Sequence, residues 1–187
     1  MEFVFEQVDT SRVTGKTYLP IFINEAVSTV YGDNLINKEK EVIEGNKNSG
    51  FDDNQVVIDF VSDLYSDYSV YDNYLKFFDK SFVSPISKHG YSVYHYVLND
   101  SLETTNGKEY LIHFFPIEDG DLAFEGKFSV TAKDYALTHI EMRTNPKINL
   151  NLVQNLFLEK SFIIQDSIYL PLKDEYEADF TILTKSD

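Results

Sequence analysis

Apolar and polar side chains alternate along most of the second half of the chain, the period of a pleated strand with one face turned inward. "FEGKFSVTA" (124–132) sets Phe124, Gly126, Phe128 and Val130 on one face and Glu125, Lys127, Ser129 and Thr131 on the other. "ALTHIEMRT" (136–144) sends Thr138, Ile140 and Met142 one way, and Leu137, His139, Glu141 and Arg143 the other. "YLPLKDEYEADFTIL" (169–183) opposes Tyr176, Ala178, Phe180 and Ile182 to Glu175, Glu177, Asp179 and Thr181. "NLVQNLFLEKSFIIQD" (151–166) precedes it as another long strand, and "YSVYHYVLND" and "KEYLIHFFP" flank Asn106-Gly107, a strong hairpin signal. Alternation of this kind predicts an antiparallel sheet with one buried and one wet face.

The first half reads differently. Residues 18–31, "YLPIFINEAVSTVY", predict an extended strand with Pro20 at its start or on an edge. "NKEKEVIEGNKNSG" (37–50) reads as a polar strand or hairpin arm closed by Gly45 and Gly50. At "FDDNQVVIDFVSDLY" (51–65) the period changes: Val56, Val57, Phe60, Val61 and Leu64 recur at helical spacing behind a capping-box start at Asp52 and Gln55. The predicted fold is mainly β (α+β). It is a curved antiparallel sheet or incomplete barrel, covered on its apolar face by this short helix and the aromatic 68–86 stretch. With no internal repeat, low-complexity tract or composition break, the 187 residues read as a single domain, 1–187.

Composition reinforces the β reading, with 13 Tyr, 15 Phe and no Trp. A formal charge of −15 without a basic patch argues against nucleic acid as a partner and against docking onto an anionic membrane. The absence of cysteine excludes a disulfide framework, a thiolate nucleophile and a thiolate metal site. "MEFVFEQVDT" lacks the basic start and long apolar core of a signal peptide, and no run of about 18 apolar residues predicts a membrane-spanning helix. An export signal is expected to lie outside this chain.

Candidate chemistry centres on "SFVSPISKHG" (81–90). Three serines beside His89 suggest a nucleophile and base, but Ser84 precedes Pro85, which favours extended backbone over a nucleophile elbow. None of Ser81, Ser84 and Ser87 has glycine-flanked context, and the segment reads as a structural crossing. Taking Asn106-Gly107 as a two-residue turn sets Thr105 opposite Lys108, His95 opposite Glu118 and His113 opposite Asp100. In that register the two histidines lie about five residues, roughly 17 Å, apart and on opposite faces, so they share no ion. His139 on a polar face is accounted for by solvation. The acidic groups Asp52-Asp53, Glu118-Asp119-Asp121 and Glu175/Glu177/Asp179 fit caps, turns and a wet strand face rather than a calcium loop. No glycine loop has phosphate-binding spacing. The expectation is no catalytic residue, no cofactor and no metal. What remains is the aromatic density of 65–98. Packing accounts for it, or Tyr65, Tyr68, Tyr71, Tyr74, Phe77, Phe78 and Phe82 line an apolar pocket between sheet and cover.

"LPIFINEAVSTVY", "KEVIEGNKNSG", "VYDNYLKFFDKSFVSPIS", "GYSVYHYVLNDS" and "ALTHIEMRTN", in that order, resemble a Bacteroidota family of unknown function. The likeness runs from about Tyr18 to about Ile182. The resemblance implies a large envelope protein, commonly with a carboxypeptidase-regulatory-like β-sandwich before this region and a predicted outer-membrane barrel after it. It carries no catalytic residues onto positions here. The region is also similar to the lipoprotein-carrier (LolA-like) architecture, an incomplete antiparallel barrel with a helical lid over an apolar hollow, a likeness at fold level only. The expected function is therefore a non-enzymatic periplasmic module of an outer-membrane-associated protein, binding or scaffolding other envelope proteins. The alternative is a carrier for lipid or lipoprotein, and a third reading is a hydrolase using Ser84 or Ser87 with His89.

Overall fold

The computed structural model describes residues 8–11, 15–18, 22–33, 38–50, 68–105, 107–145, 147–148, 150, 153–165 and 168–180. The chain divides into two compact units, Met1–Asp59 and Phe60–Asp187. The helix expected over 51–65 lies outside the described residues. Among those described, the helical content is one 3-10 turn, Gly90–Ser92.

Among the described residues, the first unit holds two antiparallel pairs. β1 (Asp9–Thr10) pairs with β2 (Thr17–Tyr18), and β3 (Phe22–Asp33) with β4 (Lys38–Gly50). β4 ends at Gly50, one of the two glycines expected to close it. Gly45 marks a bulge: it faces Val27, while Ile43 already faces Ser28. A residue without Cβ suits such an irregularity. Val27, Tyr31 and Ile43 on this hairpin are exposed.

The second unit carries the sheet that the alternation predicts. β7 (Tyr94–Thr104), β8 (Gly107–Pro116), β9 (Phe124–Thr131), β10 (Leu137–Thr144), β11 (Val153–Gln165) and β12 (Ile168–Phe180) form an antiparallel meander in sequence order. β7 and β12 are its edges, so the sheet is open and not a closed barrel. Its inner face holds Tyr94, Phe114, Phe124, Phe128, Ile140, Met142, Leu156 and Leu158, all buried.

The described cover on this face is a β-hairpin, β5 (Tyr74–Phe77) with β6 (Lys80–Val83), and the strap that follows it. Leu75, Phe77 and Phe82 are almost entirely shielded and join the sheet residues in one hydrophobic core with Tyr68 and Val70. The aromatic stretch thus covers the sheet as expected, but as two short strands.

The register corrects two expectations. In β10, Leu137 pairs with Val130 but His139 pairs with Ser129, so Thr138 is an extra residue. This bulge returns Leu137 to the buried side, 2% exposed, instead of leaving it on the face of His139. In the β7–β8 hairpin Thr104, not Thr105, opens the turn: it faces Gly107, and Glu103 faces Lys108. Gly107 takes φ 95°, a conformation glycine adopts freely, at the first position of β8. A further shift between Leu98 and Asp100 moves the pairing again.

Candidate functional site

The residues proposed to line a pocket divide into three groups. Tyr65 lies outside the described residues. Tyr71 and Tyr74 are largely exposed, at 58% and 55%. Tyr68, Phe77 and Phe82 are buried, with Phe78 partly buried against the same core. The buried rings touch one another. Phe82 stacks on Phe124 with centroids 4.6 Å apart, Phe77 meets Phe124 edge-on at 6.2 Å, and Tyr68 meets Phe77 edge-on at 5.0 Å. Such offset and edge-to-face contacts are the geometry aromatic rings prefer when they pack together.

The segment "SFVSPISKHG" is tied into that core through its backbone. Ser84 is fully buried and its hydroxyl donates to the Val70 carbonyl at 2.5 Å. Ser87 Oγ donates to the Ser84 carbonyl at 2.8 Å, and the exposed His89 ring stacks on Tyr74. Two tyrosines of β7 reach across from the sheet: Tyr94 donates to the Val83 carbonyl at 2.5 Å and Tyr96 to the Pro85 carbonyl at 2.6 Å. Tyr94 also accepts the Phe124 amide at 3.1 Å. Gly90 is needed beneath this lashing, because a Cβ there would sit 2.4 Å from the Tyr96 hydroxyl and 2.8 Å from the Pro85 carbonyl oxygen. Burial pushes the Tyr94 phenol well above its ordinary range and the Tyr96 phenol up to about 12.

Among the described residues, an ion pair between Lys160 and Asp174 lies on the inner face. Lys160 Nζ is 2.7 Å from Asp174, its directly opposed neighbour on β12, and 4.0 Å from the centre of the Tyr68 ring. Tyr176 donates to the same carboxylate at 3.1 Å. Burial holds the Asp174 carboxyl above its usual range, with the Lys160 ammonium opposing the shift. Burial likewise pushes the Tyr68 and Tyr176 phenols upward.

The outer face is a lattice of charge. Register sets Glu175, Glu159, Glu141, Lys127 and His113 in one row across β12 to β8. Lys127 Nζ is 3.1 Å from Glu141 Oε2, and Lys173 Nζ lies 2.9 Å from Glu159 Oε2 and 2.6 Å from a Glu175 oxygen. Both carboxylates raise the pKa of Lys173, that of Glu175 first. His139 Nε2 is 3.0 Å from Glu141 Oε1. One donor atom from each of His139, Glu141 and Glu159 falls within 4.8 Å of the others, the one such trio of potential metal ligands among the described residues.

The other histidines do not stand as the simple hairpin register set them. His95 faces Phe115 and His113 faces Val97, so the two are diagonal neighbours on the outer face, not five residues apart on opposite faces. The causes are the earlier turn and the β7 bulge. Of the acidic groups, Asp52-Asp53 lies outside the described residues, Asp119 contacts Lys147, and Glu175, Glu177 and Asp179 share one strand face but are half-buried, not the fully wet row expected. Glu159 and Lys173 escaped sequence reasoning, because their nearness to His139 depends on the β10–β11–β12 register, which no short-range signal sets.

A profile of DUF5686, a family of unknown function, matches residues 3–186, so the chain belongs to that family. No curated protein and no solved structure matches it. Among the described residues no helix is long and apolar enough to cross a membrane.

Proposed function

We propose that the chain is a binding or scaffolding module of a larger envelope protein, periplasmic and associated with the outer membrane, and that it works without catalysis. The observation that carries this reading is the aromatic packing between cover and sheet: Phe77, Phe82 and Phe124 lie in mutual contact within the hydrophobic core. The commitment of the buried Ser84 hydroxyl to the Val70 carbonyl supports the non-enzymatic part, since a nucleophile must reach both solvent and a base. The envelope location rests on the sequence resemblance, and other envelope proteins are the partners it implies.

A carrier for lipid or lipoprotein, with the helix expected over 51–65 as a LolA-like lid, is the second reading. It is favoured by Leu98, which shares the inner face with Ile112 and Phe128 yet is 63% exposed. Native mass spectrometry of the purified chain, with solvent extraction and lipid analysis, separates the two. The scaffold reading expects a clean protein mass and no uptake from added phospholipid. A co-purifying acyl-chain ligand, lost in Leu98→Asp without loss of fold, would overturn it in favour of the carrier.

A further inference from the structure

We propose that His139, Glu141 and Glu159 form a binding site for a divalent transition-metal ion of the zinc class, on the outer face of the six-stranded sheet. His139 and Glu141 are two residues apart on β10 and therefore share a face. Glu159 on β11 is directly opposite Glu141. The three donor atoms already lie within 4.8 Å of one another, and the His139–Glu141 pair stands at 3.0 Å. Donors bound tetrahedrally to zinc at about 2.0–2.1 Å are roughly 3.3 Å apart. Closing a gap of at most 4.8 Å to that separation takes a shift of about 1.5 Å, the scale of side-chain rotation.

The electrostatics favour a cation at this point. Two glutamates directly opposed across an antiparallel pair repel one another. Their side chains are only 32% and 13% exposed, with His139 at 28%, so water screens that repulsion incompletely. The two lysines stand on the flanks: Lys127 takes Glu141 Oε2 and Lys173 takes Glu159 Oε2. Glu141 Oε1, by contrast, faces the imidazole. This is the arrangement in which outer hydrogen bonds orient ligating carboxylates. One imidazole nitrogen with two carboxylate oxygens selects borderline ions such as zinc over magnesium and calcium, which take all-oxygen sets. Three protein ligands leave further positions for water.

The test uses the whole chain, stripped of metal with EDTA and dialysed, and titrated with zinc sulfate alone by calorimetry at neutral pH, with magnesium as control. One saturable zinc site in the micromolar range is expected, with no response to magnesium. His139→Asn and Glu159→Gln should each weaken zinc at least about tenfold, the lower bound for disturbing even a ligand's supporting shell. The double variant His95→Asn/His113→Asn should bind as the unaltered chain does, which rules out the other histidine pair as the source. Absence of saturable zinc binding, unchanged affinity in His139→Asn, or loss only in the His95/His113 variant would overturn the site. Visible absorption of cobalt(II) bound to the unaltered chain gives a reading that needs no variant: ligand-field bands of mixed nitrogen and oxygen coordination support the site, and the spectrum of the hydrated ion counts against it.

Discussion

Gly126 lies on β9 between Phe114 and Met142, facing both in the register. A Cβ at this position would stand 2.0 Å from the Glu141 carbonyl oxygen and 3.0 Å from the tip of the Phe114 ring. The first neighbour is backbone of a central strand and cannot yield cheaply. Gly126→Ala is therefore expected to destabilise the fold by about 3 kcal/mol, the upper end of what overpacking costs. It should lower the urea midpoint with the slope unchanged, whereas an unaltered midpoint would mean that the strands separate without penalty at this point. Alternation alone assigned Gly126 to the inner face. It could not supply the reason for a glycine there, because that reason is a ring and a carbonyl on neighbouring strands.

The β5–β6 hairpin was the element least legible in the sequence. Its two-residue turn, between Phe77 and Lys80, is Phe78-Asp79, and both residues have positive φ, 51° and 58°. A turn of this hand normally announces itself with Asn-Gly or Asp-Gly. Phe78 tolerates the left-handed conformation while its partly buried side chain packs on the core. Exposed Asp79 has no such packing in return. Asp79→Gly is accordingly expected to stabilise the protein by about 0.5–1 kcal/mol, the left-handed penalty less the added freedom of glycine in the unfolded chain. Chemical denaturation would show a raised midpoint, and a lowered one would show that the Asp79 side chain contributes something the backbone does not. The β7–β8 hairpin teaches the converse: its signal was plain, yet the turn lies one residue earlier than the dipeptide suggested. That single difference, with one bulge, brings His95 and His113 to the same face.

At the scale of the whole molecule, cover and sheet are joined by tyrosines as well as by apolar packing. Tyr94 and Tyr96 reach from the sheet to the strap, and Tyr68 reaches from the cover to Tyr176 and Lys160. Burial raises the pKa of all four phenols above the ordinary value of 10.0. Where the folded pKa is the higher one, the native state keeps protons that the unfolded chain releases. The stability these groups contribute is then complete below pH 10 and lost as pH rises from 10 toward the folded values, about 12 for Tyr96. Thermal midpoints are expected to hold up to about pH 10 and fall steeply above it. Tyrosinate absorbance should show part of the phenols ionising only as the fold is lost. Smooth ionisation of every tyrosine near pH 10 with the fold intact would contradict this coupling.

Side-chain alternation was enough to place the strands of the sheet, their meander order and most of their inward residues, Leu137 excepted, and to mark the 68–86 stretch as partner of the apolar face. These follow from side-chain period and from the need to remove apolar surface from water, both local properties of the chain. The ring contacts of Phe77 and Phe82 with Phe124, and the hydrogen bond from Ser84 to the Val70 carbonyl, came from the folded chain alone. It alone set Glu159 opposite Glu141 beside His139. Register is the physical reason: one bulge or one shifted turn re-pairs whole strands, and in this chain it decides which charges and rings meet.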